Sequence, residues 1–514
     1  MMRKRAMGLS LAALFTALAL TGCAQRVDFA HKDIAVDKTE IALVLQEGET
    51  EKLDLLPELK SVDLSGSECY EEIMAWAAAH PDVEVKYTVT FPDGTVARSG
   101  DEALSLGSIS PDDAARAAEL AGFLPALKTV ELGGTGLSPA GAYEFCKALE
   151  GVDIHYSTTL FGRTVDYSTK SFDLRAMAPE NLSEALSVLP YLPALKSVEL
   201  GSADSTALSF SDVAALVSAC PQVDFDFSFT LYGKEFTLLD DEMDLNHIKI
   251  DDGGALVRSV AQCMKNLSYL DMDSCGVSNE DMAAIRDALP NTKVVWRVWF
   301  GANYTARTDV EKILASKPTA GGELYDRDAE ILKYCTDVKY LDIGHNERFG
   351  NLSFVQYMPK LEVAVLAMDK FTDLTPLASC TELEYLELQT NEGISDLTPL
   401  AGLTKLEHLN IAHCPKISDI TPLYNLTNLK RLWLGRTRLV PQEQIDELFV
   451  RLPDTDINTT VWEDPTAEHW RVTSVDPWTN QYYYDERYEL LCEQFGYLEG
   501  DYSLPGNDPL YKAH

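Results

Sequence analysis

Apolar residues recur along the chain in one hexapeptide pattern, filled at its first, fourth and sixth positions and mostly polar at its third and fifth. It first reads Leu59-Lys-Ser-Val62-Asp-Leu64, then starts again at Leu127, Leu195, Leu267 and Val338, at steps of 68, 68, 72 and 71 residues. From Val338 the interval shortens: Leu361, Leu383, Leu406 and Leu429 follow at 23, 22, 23 and 23 residues. Alternation over the last four positions predicts a short strand with one face on a core and the other toward solvent. Recurrence at set intervals predicts a stack of such strands, because a single repeat cannot close its own apolar side.

In the long interval a helical pattern follows the hexapeptide, as in Ser138 to Cys146 and Phe210 to Ser218; Ser138 suits an N-cap and Pro139 the first helical position. An alternating strand comes next: Val83/Val85/Tyr87/Val89, Val152/Ile154/Tyr156, Val223/Phe225/Phe227/Phe229 and Val294/Trp296/Val298/Phe300. A turn at Gly94, Gly162, Gly233 or Gly301 then folds this strand into a hairpin, and a second helix leads back to the next hexapeptide. The remainder of each long unit is close to two short intervals, so both kinds of unit are expected in one continuous stack.

The clearest short unit is Leu383-Glu-Tyr-Leu386-Glu-Leu388-Gln-Thr-Asn391-Glu-Gly-Ile394-Ser-Asp396-Leu-Thr-Pro399-Leu400, echoed by Leu406, Leu409, Ile411, Cys414, Ile417, Asp419 and Pro422. In these residues the chain resembles the leucine-rich repeat superfamily, and its short units resemble the internalin-type repeat. The likeness is tight over 338–440 and looser over 59–337. Ala364 in place of the second leucine departs from the pattern, as do long units that exceed the usual roughly 20–29 residues. The resemblance implies an α/β fold: a leucine-rich repeat solenoid, or horseshoe, with a parallel concave sheet of about fourteen strands spanning an arc of roughly 60 Å. Inserted β-hairpins are expected in the N-terminal half and a C-terminal cap at the end. It also implies a ninth-position ladder, Cys275, Asn346, Asn391 and Cys414, hydrogen-bonded to the turns. In Asp-Leu-Thr-Pro-Leu at 373–377 and 396–400, and Asp-Ile-Thr-Pro-Leu at 419–423, Thr is expected to cap and Pro to open a helical turn.

The third and fifth positions carry the candidate chemistry, since they face away from the core. Toward the N-terminus the fifth position is acidic, with Asp63, Glu131, Glu199, Asp271 and Asp342, which would favour a basic or polar partner there. The short repeats instead offer Tyr340, Asp342, Tyr385, Glu387, His408, Asn410, Arg431 and Trp433. Tyr, Trp and Arg dominate binding hot spots because they bury large area with a polar handle, so these eight residues are the candidate protein-binding surface.

Composition narrows the class. The 514 residues carry 43 Lys+Arg against 81 Asp+Glu, a formal charge of −38, which excludes a basic footprint on nucleic acid; 46% hydrophobic residues exclude a disordered chain. Arg3, Lys4 and Arg5 precede the apolar run Ala6 to Leu20, whose 15 residues are short for a membrane span, and then Leu20-Thr21-Gly22-Cys23. That tetrapeptide resembles the lipobox of bacterial lipoproteins, which implies a signal peptide over 1–22 and acyl chains, palmitate among them, on Cys23. Two or more chains anchor stably, which places the remainder outside the cytoplasm at the cell surface.

Signals of catalysis or metal binding are weak. His408 and His413 form no His-Glu-x-x-His motif, the acidic run Asp240 to Asp252 lacks a calcium-loop pattern and reads as a solvated loop, and Gly133-Gly-Thr-Gly136 lacks the ending of a phosphate loop. Cys335 and Cys380 stand where sister repeats carry leucine, so they read as small buried hydrophobes. After Cys23 the nine other cysteines show no close pairs, which leaves a disulfide framework unsupported.

Beyond Leu439 the repeat ends. Gln442 to Leu452 predict a last helix and Asp456 to Thr460 an edge strand. Residues 462–511 are aromatic-rich, with Trp462, Trp470, Trp478, Tyr482, Tyr483, Tyr484, Tyr488, Phe495, Tyr497, Tyr502 and Tyr511, expected to cap the last repeat or to stack on cell-wall sugars. The sequence thus divides into a signal (1–22), a lipid-anchored N-terminal segment and N-cap (23–58), long units (59–337), short repeats (338–440) and a C-terminal cap (441–514). It predicts a non-enzymatic scaffold with no cofactor and no metal, binding an unknown protein partner, or alternatively a cell-wall glycan.

Overall fold

The computed structural model describes residues 25–30, 32–301, 304–316, 323–459, 470–475, 478, 482–484, 489, 491 and 495; the segment 1–22 expected to be a signal, and Cys23, lie outside them. The chain divides into two compact units, Met1–Phe229 and Thr230–His514.

In the first unit the hexapeptide is the middle one of three parallel strands. Ser61–Asp63 lies between Glu40–Ala42 and Glu84–Lys86, and Thr129–Glu131 between Ala103–Ser105 and Asp153–His155. Ser197–Ser202 lies between Ser171–Asp173 and Asp224–Leu231. Each long interval therefore holds three parallel strands, of which the sequence pattern marks two. The first, such as Glu40–Ala42, is three residues with one buried apolar side chain, too short for alternation to register.

Of the predicted alternating strands here, two divide at a buried aromatic ring, while Asp224–Leu231 runs on unbroken. Glu84–Lys86 pairs in parallel, then Tyr87 turns inward, and Thr88–Thr90 pairs antiparallel with Val96–Arg98 as a hairpin. Tyr156 separates Asp153–His155 from the hairpin Ser157–Leu160/Arg163–Asp166 in the same way. Each ring is fixed by its hydroxyl: Tyr87 donates to the Phe123 carbonyl at 2.6 Å and Tyr156 to that of Leu137 at 2.7 Å. The second hairpin closes through Phe161 and Gly162, both at positive φ (49° and 72°), the two-residue turn whose twist matches antiparallel strands. The helices Pro139–Ala148 and Phe210–Ala219 start where the sequence places them, with the Ser138 and Ser209 hydroxyls accepting from the Gly141 and Asp212 amides.

The second unit contains the parallel strands Glu242–Asp244, Tyr269–Asp271 and Lys293–Val295 and the hairpin Arg297–Phe300/Tyr304–Arg307, divided at Trp296. It continues as one seven-stranded parallel sheet: Lys312–Leu314, Tyr340–Asp342, Val363–Val365, Tyr385–Glu387, His408–Asn410, Arg431–Trp433 and Asp456–Asn458. Leu341, Ala364, Leu386, Leu409, Leu432 and Ile457 stand directly opposite one another, so Ala364 keeps the register despite its smaller side chain. The parallel α/β arrangement and the inserted hairpins agree with the expectation.

Ninth-position side chains tie adjacent turns. Asn391 Nδ2 donates to the carbonyls of Leu366 and Leu388 at 2.7 and 2.9 Å, while its Oδ1 accepts from the Phe371 amide. Asn346 does the same with Ala315, Ile343 and Leu324. Cys414 and Cys275 make weaker thiol bonds to the carbonyls of Leu388 and Leu245. Asp369 holds this position between the two asparagines. All eight described cysteines are free. Cys335 and Cys380 are fully buried, and burial pushes their thiols up to about 12 and about 11.

The capping expectation is corrected. Asp373, Asp396 and Asp419, not the threonines, accept the amides of Thr375, Thr398 and Thr421 at 2.8–2.9 Å; each Thr opens its short 3-10 turn and Pro follows. A carboxylate two residues ahead reaches that amide more easily than the hydroxyl of the residue itself.

Candidate functional site

Strand register gathers all eight candidate residues onto one face of the seven-stranded sheet. Tyr340, Val363, Tyr385, His408 and Arg431 form one row, and Asp342, Val365, Glu387, Asn410 and Trp433 a second. Their expected exposure is corrected. Tyr340 and Arg431 are half-buried, whereas Asp342, Tyr385, Glu387, His408, Asn410 and Trp433 are buried, Glu387 completely.

The reason is a contact that no repeat pattern announces. Trp470, Arg471, Leu491 and Phe495 are buried, and Trp470, Leu491 and Phe495 share one apolar cluster with Leu314, Val363, Val365, Tyr385, Ala412 and Trp433. The Trp470 ring stands 5.5 Å from Trp433 edge-on, 6.1 Å from Tyr385 and 6.4 Å from His408, and the Arg431 guanidinium lies 5.9 Å above it. Arg431 also donates to the Trp470 carbonyl at 2.8 Å and to Asp456 at 3.2 Å. Phe495 meets Tyr340 edge-on at 6.3 Å.

Glu387 is the polar centre. Arg471 grips it bidentately, Nε to Oε1 at 2.7 Å and Nη2 to Oε2 at 2.9 Å. The Trp470 indole N–H is shared between Tyr385 Oη at 2.7 Å and Glu387 Oε1 at 3.1 Å. Tyr385 donates its hydroxyl to Oε1, and Gln389 Nε2 donates to Oε2 at 3.0 Å. Burial alone would raise the Glu387 carboxyl, but the Arg471 guanidinium and these donors outweigh it and hold the group below its ordinary value. Burial, with the Glu387 charge beside it, pushes the Tyr385 phenol well up, so it remains a neutral donor.

Of the aromatic tail expected to cap the last repeat, the described Trp470 and Phe495 are buried on the sheet face. Helix Gln442–Arg451 and strand Asp456–Asn458 flank that repeat, and Trp470 and Phe495 lie on the sheet face. Trp478 is 94% exposed. Tyr482–Tyr484 forms a strand antiparallel to Val472–Val475, and Trp462, Tyr488, Tyr497, Tyr502 and Tyr511 lie outside the described residues.

The acidic fifth-position column serves the fold. Asp63, Glu131, Asp271 and Asp342 each accept the backbone amide two residues on, from Ser65, Gly133, Asp273 and Gly344 at 2.9–3.1 Å, and so close the turn after the strand. In the second unit Arg307 pairs with Asp271 at 2.9 Å and Arg297 with Asp273 at 2.7 Å. The chain thus supplies its own basic partners at those positions. The run from Asp240 to Asp252 is likewise turn chemistry: Asp240, Asp244 and Asp252 accept amides of Thr237, Asn246 and Gly254.

Among the described residues the two histidines singled out in the sequence are not brought together. His408 lies on the sheet face and His413 in a turn at φ 58°, so the two are not one site. Among the described residues no group of three or more His, Cys, Asp or Glu is placed to hold a metal ion. Cys146 and His155 line one open cleft of the first unit. Burial pushes that thiol up to about 11, away from the thiolate a nucleophile requires.

The sequence family described as leucine rich repeats (2 copies) matches residues 404–449. Among curated proteins none matches the chain. Similar solved structures include an internalin from Listeria monocytogenes (14% identity, 84% of each chain covered, TM-score 0.24). A leucine-rich repeat protein of Leptospira interrogans has 15% identity over 81% of this chain and 92% of its own, with TM-score 0.27. The functional domain of InlJ from Listeria monocytogenes has 12% identity over 71% and 68%, with TM-score 0.23. At these TM-scores the likenesses do not themselves establish the fold, which stands on the strand register described above.

Proposed function

We propose that the chain is a lipid-anchored, cell-surface leucine-rich repeat protein that binds a protein partner through the outward face of its seven-stranded sheet and catalyses no reaction. The observation that carries this reading is the pair of rows from Tyr340 to Trp433. Hot-spot side chains stand in strict register there on rigid strands, and they bury an indole and a guanidinium from outside the repeats. The order of basic, apolar and Leu-Thr-Gly-Cys23 segments supports the anchor.

Photo-crosslinking on cells from a probe at Tyr340 tests the site: one partner is expected for the native chain and at least tenfold less of it for Arg431→Ala/Trp433→Ala. Undiminished crosslinking of that variant sinks the assignment. The anchor is tested by Cys23→Ala, expected to shift the protein from the membrane fraction to the medium; continued membrane retention would contradict lipidation. Exposure of Trp478 favours a second reading, stacking on cell-wall sugars. On that reading Trp478→Ala loses most co-sedimentation with peptidoglycan, and equal sedimentation removes it.

A further inference from the structure

The Glu387 cradle is built to receive groups that the repeats do not contain. From the described residues of the repeats the buried carboxylate gains only the Tyr385 hydroxyl and the Gln389 amide. Its remaining acceptor capacity is met from outside, by a bidentate guanidinium and an indole N–H delivered by two consecutive residues, Trp470 and Arg471. The geometry is selective. A forked guanidinium matches both carboxylate oxygens where an ammonium reaches only one point, and Tyr385, His408 and Trp433 surround the indole while Arg431 covers its ring.

A second, independent observation shows that the fit is incomplete. Gln389, 7% exposed and donating to Glu387, has an Oε1 that is buried and finds no hydrogen-bond donor among the described residues. A buried acceptor left unmet beside the cradle is a position at which an incoming chain can make a bond that Trp470 and Arg471 do not make.

We propose that this cradle is a recognition site for a peptide presenting an adjacent aromatic ring and arginine, and that Trp470–Arg471 occupies it in cis as a stand-in for that partner. The proposal rests on the scaffold reading above and gives its partner a chemistry: a basic, aromatic segment, complementary to Glu387 at the centre and to Asp456 at the edge. Because the chain's own residues are tethered, their effective concentration is high, of the order of millimolar for a short link, and a partner binds only by displacing them. The isolated protein is therefore closed, and it opens in proportion to how far a partner's affinity exceeds that of the resident pair.

The test uses the full chain and a fluorescent hexapeptide, Trp-Arg-Val-Thr-Ser-Val, identical to residues 470–475. With Trp470→Ala/Arg471→Ala the vacated cradle is expected to bind the peptide saturably by anisotropy, at least tenfold more tightly than the native chain does. A peptide with lysine in place of its arginine, or the addition of Glu387→Gln to the variant, is expected to lose at least tenfold. Equal binding by native chain and variant overturns the proposal. So does binding that survives Glu387→Gln, or no binding to a variant whose circular dichroism and melting show folded repeats. Where the double variant does not fold, Arg471→Lys, which keeps the charge and loses the fork, serves with the same outcomes. Crosslinking that depends on Arg431 and Trp433, together with no peptide binding, leaves the scaffold reading standing and removes this one.

Discussion

Glu387→Ala is expected to release Trp470 and Arg471 from the sheet face and to raise trypsin cleavage after Arg471 by at least about 100-fold, with the melting of the repeats changed by only a few degrees. Removing one partner of a buried pair costs about 3–5 kcal/mol, because the other charge is left without compensation, and every 1.4 kcal/mol is tenfold in an opening equilibrium. Here the group that loses its bidentate carboxylate is Arg471, 8% exposed and gripped by both oxygens. Arg471 can regain water by leaving the face, so the cost appears as local opening and not as global unfolding. The core beneath is untouched: Leu386 and Leu388, on the opposite side of the same strand, remain fully buried among the repeats. A cleavage rate at Arg471 unchanged from the native chain would refute the dependence of the cover on this carboxylate.

The same pair sets a pH dependence with a definite sign. The folded Glu387 carboxyl lies below its ordinary value, so its contribution is present above the unfolded pKa, about 4.3, and is lost as pH falls through the folded one. Hydrogen exchange of the 470–475 amides, corrected for intrinsic rates, is expected to accelerate on acidification before the repeats themselves unfold.

Asp369→Asn is expected to stabilise the second unit by about 1–3 kcal/mol at neutral pH, the range for relieving a buried unmet polar group. In the ladder, Asn346 and Asn391 offer an amide that donates to two carbonyls and an oxygen that accepts one N–H. Asp369 keeps the acceptor, taking the Asn346 amide at 2.7 Å, but the oxygen that replaces the amide nitrogen has no partner among the described residues. Burial, and secondarily the charge of Asp342, pushes the Asp369 carboxyl well above its ordinary value. The folded state thus holds a proton that the unfolded chain releases. The contribution is fully present below the unfolded pKa, about 3.9, and is lost as pH rises through the folded one. The advantage of asparagine is therefore expected to grow with pH and to vanish near pH 4 in urea unfolding curves; no gain at pH 7 would contradict this account. Asp373, Asp396 and Asp419 act with the opposite sign, since hydrogen bonds from the following Thr hold their carboxyls low and their contribution is lost in acid.

How much of this was legible in sequence depends on range. Leu341, Leu386, Leu409 and Leu432 declare their burial through spacing alone, because a strand alternates every residue and the repeat returns every 22 or 23. Ser138-Pro139 declares a helix start for the same local reason. The outer strands, such as Glu40–Ala42, are too short to carry alternation. The use of Asp63 or Asp373 as a turn clasp turns on a side-chain bond spanning two residues, which an acidic column hides under the appearance of a charged surface.

The sequence by itself determined a chain of parallel-strand repeats, their register, and which eight side chains share one face. Only the tertiary structure decided that this face is covered, and by what. Trp470 reaches Tyr385 across 85 residues through its indole N–H, and Arg471 pairs with Glu387 across 84. A contact of that kind occurs once and obeys no period, so it leaves no pattern along the chain. Its energy comes from the bidentate ion pair and the buried indole, which offset the cost of desolvating Glu387 and Arg471 only when both are brought from water to the same place.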